Sequence, residues 1–298
     1  MRSPDLGSSE DDGAVDDSVA DADAPTESIP FTESSAVTAS SVRAGRGLRS
    51  WGARQWVPVI SFLIGTVTVT TLFAIGVWQR RWIADDGLIV LRTLRNLFAG
   101  NGPVFNAGER VEANTSTAWT YVLWFWAWVT DGQLEYVALW VALVLSVAAI
   151  PIAMYGTARL YRTRLGGLTG DGWTLLLPFG VIAYVALPPA RDFATSGLEN
   201  GLCIFWVAVL WCQLVAWSRR PTIDPSGWQR AATLTLAFTA GLAPLIRPEL
   251  TVLGALVLLL LILAPTSWPM RIGMVVVVVV VDVGVLTGDT TPVVVVVS

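Results

Sequence analysis

Three short polar stretches interrupt a largely apolar chain, and each carries side chains suited to chemistry on a charged substrate. Asp85 and Asp86 directly follow the first apolar run, Arg191, Asp192 and Glu199 separate two later runs, and Arg247 and Glu249 separate two more. The chain contains no histidine, so the usual proton shuttle near neutral pH is missing and acid–base work falls to Asp, Glu or Tyr. Adjacent aspartates suit a pair in which one carboxylate meets the reacting group of a substrate, as proton acceptor or charge stabiliser, while the other orients it or holds a cation. On a helix the two would diverge by about 100°, so one should dominate; the bland alternative is a pair of solvated acids closing a membrane span. Arg92 and Arg95, three positions apart, share one face of segment 88–99 and are placed to grip a phosphate, or else to snorkel from an amphipathic helix. Arg191 and Asp192 behind Pro188 and Pro189, and Arg247 and Glu249 around Pro248, fit either local ion pairs or substrate contacts.

The elements that must position these groups are membrane helices. A chain that is 54% hydrophobic and only 14% charged falls outside the usual balance of a soluble domain of this size. Apolar stretches run over 56–78, 136–155, 173–189, 201–217, 231–246 and 250–264; the first would extend about 34 Å as a helix, enough to cross a bilayer core. Arginine placement sets their orientation: Arg43, Arg46, Arg49 and Arg54 precede the first stretch and hold the N-terminus in the cytoplasm. Six spans then return Arg159, Arg162 and Arg164, next Arg219, Arg220 and Arg230, and finally Arg271 to the same side, leaving all three acidic clusters on the outer face. Segment 118–129, dense in tryptophan, would reverse everything downstream if it crossed the bilayer, and is therefore expected to lie in the interface. The first outer loop, 79–135, carries Arg80, Arg81, Arg92, Arg95 and Arg110 on the side where arginine should be scarce, as a bound phosphate or neighbouring acids would explain.

The expected organisation is an all-α polytopic membrane protein in three parts. Residues 1–42 hold ten acids and one arginine with little to bury, and are expected to form a disordered acidic cytoplasmic tail. Residues 43–274 form the transmembrane domain of about six spans, and 275–298 a valine-rich, low-complexity tail of anomalous character. Cys203 and Cys212, nine positions apart in one apolar run, face opposite sides of a helix and serve packing rather than a disulfide. No metal cluster and no nucleic-acid partner are expected.

The segment WQRRWIADDGL, continuing through LIVLRTLRNLFAGNGPVFNAGERVEANTSTAWTYVLW, together with PPARDFATSGLENGL and LIRPEL in the same order, resembles the terminal arabinofuranosyltransferases of actinobacteria over residues 56–274. That family resemblance implies a GT-C type transmembrane helical bundle with interfacial helices in the outer loop after the first span, and arabinofuranose transfer from decaprenylphosphoryl arabinofuranose. The acceptor it implies is cell-wall arabinan, in arabinogalactan and lipoarabinomannan, which would gain a terminal β-1,2 linkage at its non-reducing ends. Donor and product would both be β, so configuration would formally be retained, through two displacements or a front-face route. The resemblance makes Asp85 and Asp86 the catalytic candidates; Arg81, Arg92, Arg95, Arg191, Asp192, Glu199, Arg247 and Glu249 are the candidates for donor phosphate and substrate. A divalent cation is compatible with the aspartate pair, and the residues name no other cofactor. It further implies a multi-pass plasma-membrane protein acting at the outer face, matched over the N-terminal half of the family, whose C-terminal periplasmic domain is absent. The competing readings are a transporter or flippase for a lipid-linked solute, which the lack of an internal repeat and of mid-span charges disfavours, and an inactive fragment of the transferase.

Overall fold

The computed structural model describes residues 53–109, 114–165, 179–219, 227–264 and 268–288. The acidic segment 1–42, Arg43, Arg46, Arg49, Arg110, Arg220 and residues 289–298 lie outside these, as do residues 173–178 of stretch 173–189, of which the described part holds helix α5 (Phe179–Ala186). Every regular element among the described residues is a helix, as an apolar chain that must satisfy its own backbone in lipid requires.

Three helices are long and apolar enough to cross a membrane. These are α1 (Ala53–Gln79), α4 (Leu134–Leu165) and α7 (Asn200–Ser218). Helix α4 is uninterrupted despite Pro151 in its interior, a residue that removes one backbone donor and favours a bend. The other stretches are shorter: α8 (Gly227–Gly241) has 15 residues and α10 (Thr251–Leu263) has 13, joined by α9 (Ala243–Ile246) and a 3-10 turn at Pro248–Leu250. Ile246-Arg247-Pro248 cannot continue a helix because Pro248 constrains its predecessor, and Arg247 accordingly takes an extended backbone. Helix α3 (Thr117–Thr130), the tryptophan-rich segment, has 14 residues, about 21 Å against a hydrocarbon core of about 30 Å. Ser116 caps it by accepting from the Trp119 backbone N–H, which offsets one of the orphan donors at its start. The valine run set aside as an anomalous tail continues a helix, α11 (Trp268–Gly288), whose Met274 is buried and whose Gly273 lies against Leu234 of α8.

Lipid tails are as apolar as leucine, so helices in a bilayer associate through close packing at small residues rather than through water exclusion. The α4–α7 pair shows this. A Cβ on Gly201 would stand 2.7 Å from the Ala142 carbonyl oxygen and 2.8 Å from Ser146 Oγ; the two backbones can approach that closely only because glycine is present. Leu91, Leu94, Trp119, Leu123, Ala138, Ala142, Trp206 and Leu210 build the larger core around this seam. A smaller core holds α1 against α4 through Phe73, Val77, Ile150 and Met154. The opposite side of α1 leaves Ile60, Leu63, Ile64, Val67 and Leu72 exposed, the composition of a lipid-facing surface.

Candidate functional site

Helix α2 (Asp85–Phe98) begins at the two aspartates, so both carboxylates occupy its first turn, where the partial positive charge of the helix end favours them. Both are exposed, and neither has a hydrogen-bond or ion-pair partner among the described residues. The start of α2 is seated on the loop 193–199, between the short helix α6 (Pro188–Asp192) and α7. The Ala84 backbone N–H donates to the Ser196 carbonyl at 2.8 Å, and the buried Trp119 indole N–H donates to the Gly197 carbonyl at 2.8 Å. Gly87 permits the seating: a Cβ there would meet the Ser196 carbonyl oxygen at 2.6 Å. Gly197 sits at φ 85°, a left-handed conformation that L side chains rarely adopt.

The remaining charged candidates gather around this loop in unequal ways. Asp192 accepts from Arg80 Nη1 at 3.0 Å, while its backbone carbonyl takes the Trp82 indole N–H at 2.6 Å. Glu199, its side chain only 3% exposed, lies 3.2 Å from Arg247 Nε, and Glu249 Oε2 lies 3.4 Å from the same nitrogen. Both contacts are ion pairs without hydrogen-bond alignment of the Nε–H. Thus Arg80 with Asp192, Ala84 with Ser196, and Glu199 with Arg247 tie the three polar stretches to one another. Arg191 extends its stem along Gly76 of α1, and its Nε is buried without a hydrogen-bond partner.

Three candidate arginines are turned elsewhere. Arg81 folds back over the Trp78 ring, 4.3 Å from its centroid, and donates to the Trp78 carbonyl at 2.8 Å. Arg92 donates to the Phe105 carbonyl at 3.1 Å and to Asn106 Oδ1 at 2.7 Å, stacking on the Phe105 ring. Arg95 pairs with Glu135 at the start of α4. The shared helix face that placed Arg92 and Arg95 within reach of one phosphate is real, yet tertiary partners draw the two guanidinium groups apart. Three further residues build the site, Trp82 on Asp192 and Trp119 and Gly197 beneath α2. Their signal is weak: a lone Thr-Ser-Gly within a charged connection, and two tryptophans among the chain's 15.

Beside Arg247 opens an apolar cavity of about 730 Å³ between α3, α7, α8 and α9. Tyr121, Phe125, Phe205, Val209, Leu242 and Leu245 line its walls, and Leu202 and Ile246 line it next to the Glu199–Arg247 pair. Its only side-chain oxygens belong to Thr117, Tyr121 and Thr239, so it suits a hydrocarbon chain rather than a hydrated solute. Among the described residues, no three Asp, Glu, Cys or His side chains gather as a metal-ligating group.

Apolar spans, interhelical contact through glycine, and ion-paired polar residues where helices end define an all-α membrane protein, with an apolar cavity whose lining includes Ile246, the neighbour of Arg247 in the chain. No family model matches the chain, and no solved structure matches it. Two curated proteins do: the terminal β-(1→2)-arabinofuranosyltransferase of Mycobacterium tuberculosis, 50% identical over 214 residues, and that of Corynebacterium glutamicum, 50% identical over 210 residues. These alignments cover 72% and 67% of this chain. Identity of that order means common ancestry, so the chain is a relative of these terminal arabinofuranosyltransferases. The matched part spans about a third of the length of each, 33% and 29% respectively.

Proposed function

We propose that this chain carries the donor site of a polyprenyl-phosphate-dependent transferase that moves arabinofuranose from decaprenylphosphoryl arabinofuranose to the non-reducing ends of cell-wall arabinan. The observation that carries this reading is the juxtaposition of an apolar groove with Arg247 and the loop beneath Asp85 and Asp86. A lipid-linked sugar phosphate has the same order of parts: hydrocarbon, anion, sugar. The groove would take the polyprenyl chain, Arg247 the phosphate, and one aspartate the reacting sugar. Glu199 is the fixed partner of Arg247, whereas Glu249 has a side chain 72% exposed and is the counterion that an arriving phosphate would displace.

Catalysis in such a site is mainly positioning and charge stabilisation, since a phosphate leaves readily. A carboxylate in the first turn of α2 would stabilise positive charge developing at the sugar and accept the proton of the attacking hydroxyl. Arg247, held by Glu199, would stabilise the departing phosphate. The site would open at the outer face of the plasma membrane, with the N-terminus in the cytoplasm and several spans crossing between.

The test incubates membranes containing the chain with labelled lipid donor and an arabinan acceptor. Label should enter arabinan in a β-1,2 linkage, and Asp85→Ala/Asp86→Ala should lower the rate at least 100-fold. Full transfer by that double variant rejects the assigned aspartate role. Orientation is read separately from cysteines placed at 86, 193 and 249 in a background without Cys203 and Cys212. Labelling of the three from opposite sides of the membrane would rule out a common site.

A further inference from the structure

Trp82 and Phe193 form an aromatic pair at the edge of the acidic cluster, outside the apolar groove. Their ring centroids are 5.8 Å apart at 62°, and the residues are 44% and 45% exposed. The Trp82 ring is oriented by its own N–H, which is committed to the Asp192 carbonyl at 2.6 Å. Asp192 is in turn ion-paired to Arg80. The Trp82 ring is therefore held at the surface by a polar contact, with the Phe193 ring against it, and Trp82 is three residues from Asp85, a separation of at most about 11 Å between Cα atoms. A tryptophan that only anchors a helix at the lipid headgroups does not need this bracing. Arg80 and Arg81 beside Trp82 balance Asp85 and Asp86, and Asp192 is already paired to Arg80, so no excess charge of either sign selects an ion there, and a neutral polyhydroxylated ligand suits the surface. Its C–H bonds, polarised positive, suit the negative face of an aromatic ring, and its hydroxyls both donate to carboxylates and accept from Arg80.

We infer that Trp82 and Phe193 are the platform on which the sugar acceptor stacks, a second subsite distinct from the groove that takes the anionic lipid donor. This division rests on the transferase reading above and deepens it, because it assigns the two substrates to separate surfaces: the neutral glycan to Trp82 and Phe193, the phosphate to Arg247. Neither ring exchanges bonds with a substrate, so both are specificity residues that position the attacking hydroxyl.

The experiment reconstitutes the full chain in nanodiscs and measures binding of a short arabinofuranosyl oligosaccharide by saturation-transfer NMR, with transfer from the labelled lipid donor assayed in parallel. Trp82→Ala should weaken oligosaccharide binding at least 10-fold, and Phe193→Leu about 3-fold. Trp82→Phe, which retains a ring face while losing the N–H bond, should stay within about 3-fold of wild type. Donor binding should be unchanged in Phe193→Leu and Trp82→Phe, and these two variants decide the matter should Trp82→Ala fold poorly. Equal oligosaccharide affinity in wild type, Trp82→Ala and Phe193→Leu overturns the platform and leaves the transferase reading standing. Absence of oligosaccharide binding in the wild type also overturns it, and the donor assay then shows whether the transferase reading fails with it.

Discussion

Removing Arg247 should be far more damaging than removing Glu249, although both belong to the same ion-paired group. Glu199 presents a side chain 3% exposed, and Arg247 is its ion-pair partner at 3.2 Å. Stripping the partner from a buried carboxylate typically costs about 3–5 kcal/mol. The Arg247 side chain is itself 43% exposed, so water partly replaces it, and the expected loss for Arg247→Ala falls to about 2–3 kcal/mol. Glu249, at 72% exposure, should cost no more than about 0.5 kcal/mol when truncated. Adding Glu199→Gln to Arg247→Ala removes the stranded charge and should recover at least half of the loss. The assay is thermal unfolding of the purified chain in detergent, followed by intrinsic fluorescence. At about 2–4 °C per kcal/mol for a domain of this size, Arg247→Ala should fall by about 4–12 °C and the double variant by clearly less. A double variant less stable than Arg247→Ala alone, or equal losses for Arg247→Ala and Glu249→Ala, would show that Glu199 does not depend on Arg247 and would refute the reasoning.

Gly87→Ala should destabilise by more than about 2 kcal/mol in the same melt, because its Cβ would meet backbone at 2.6 Å rather than a side chain able to rotate away; unchanged stability would show that α2 does not sit tightly on loop 193–199. Asp85→Asn and Asp86→Asn should leave the melting temperature within about 1 °C, since neither carboxylate has a partner among the described residues, so that their effect appears in transfer alone. Arg92→Ala should increase limited proteolysis within residues 99–109, whose Phe105 and Asn106 it holds, without altering binding of a lipid-phosphate analogue; reduced binding would return Arg92 to the phosphate site. Val209→Trp, which fills the groove wall, should weaken binding of a long-chain polyprenyl phosphate at least 10-fold and that of a short-chain analogue much less, as competition binding would show.

Class and ancestry were legible from the residues in order. Hydropathy is a local property, so apolar runs of sufficient length announce helices α1, α4 and α7 wherever they pack. The 14-residue length of α3 likewise follows from where its apolar run ends. Half identity with two arabinofuranosyltransferases is a statement about sequence from the outset, and the segments around Asp85, Arg191 and Arg247 carried it before any coordinate was available. The valine run is less readable: low complexity says nothing of its packing, and in the structure Val278 lies against Gly241 of α8.

What sequence does not encode locally is the partner of each charge. Helical spacing put Arg92 and Arg95 on one face, and only the chain's path 14 and 40 residues onward shows one bound to Asn106 and the other to Glu135. Of the outer-loop arginines that a phosphate or neighbouring acids would explain, sequence does not say which answers an acid; across 112 residues it is Arg80 that reaches Asp192. Trp82 looked like any interfacial tryptophan until the fold brought the Asp192 carbonyl to its N–H. An ion pair or a hydrogen bond acts over a few ångströms, a distance that chain separation does not predict. The residue types were therefore settled in one dimension, and their roles only by the approach of loop 193–199 to the start of α2, which two glycines make close enough to occur.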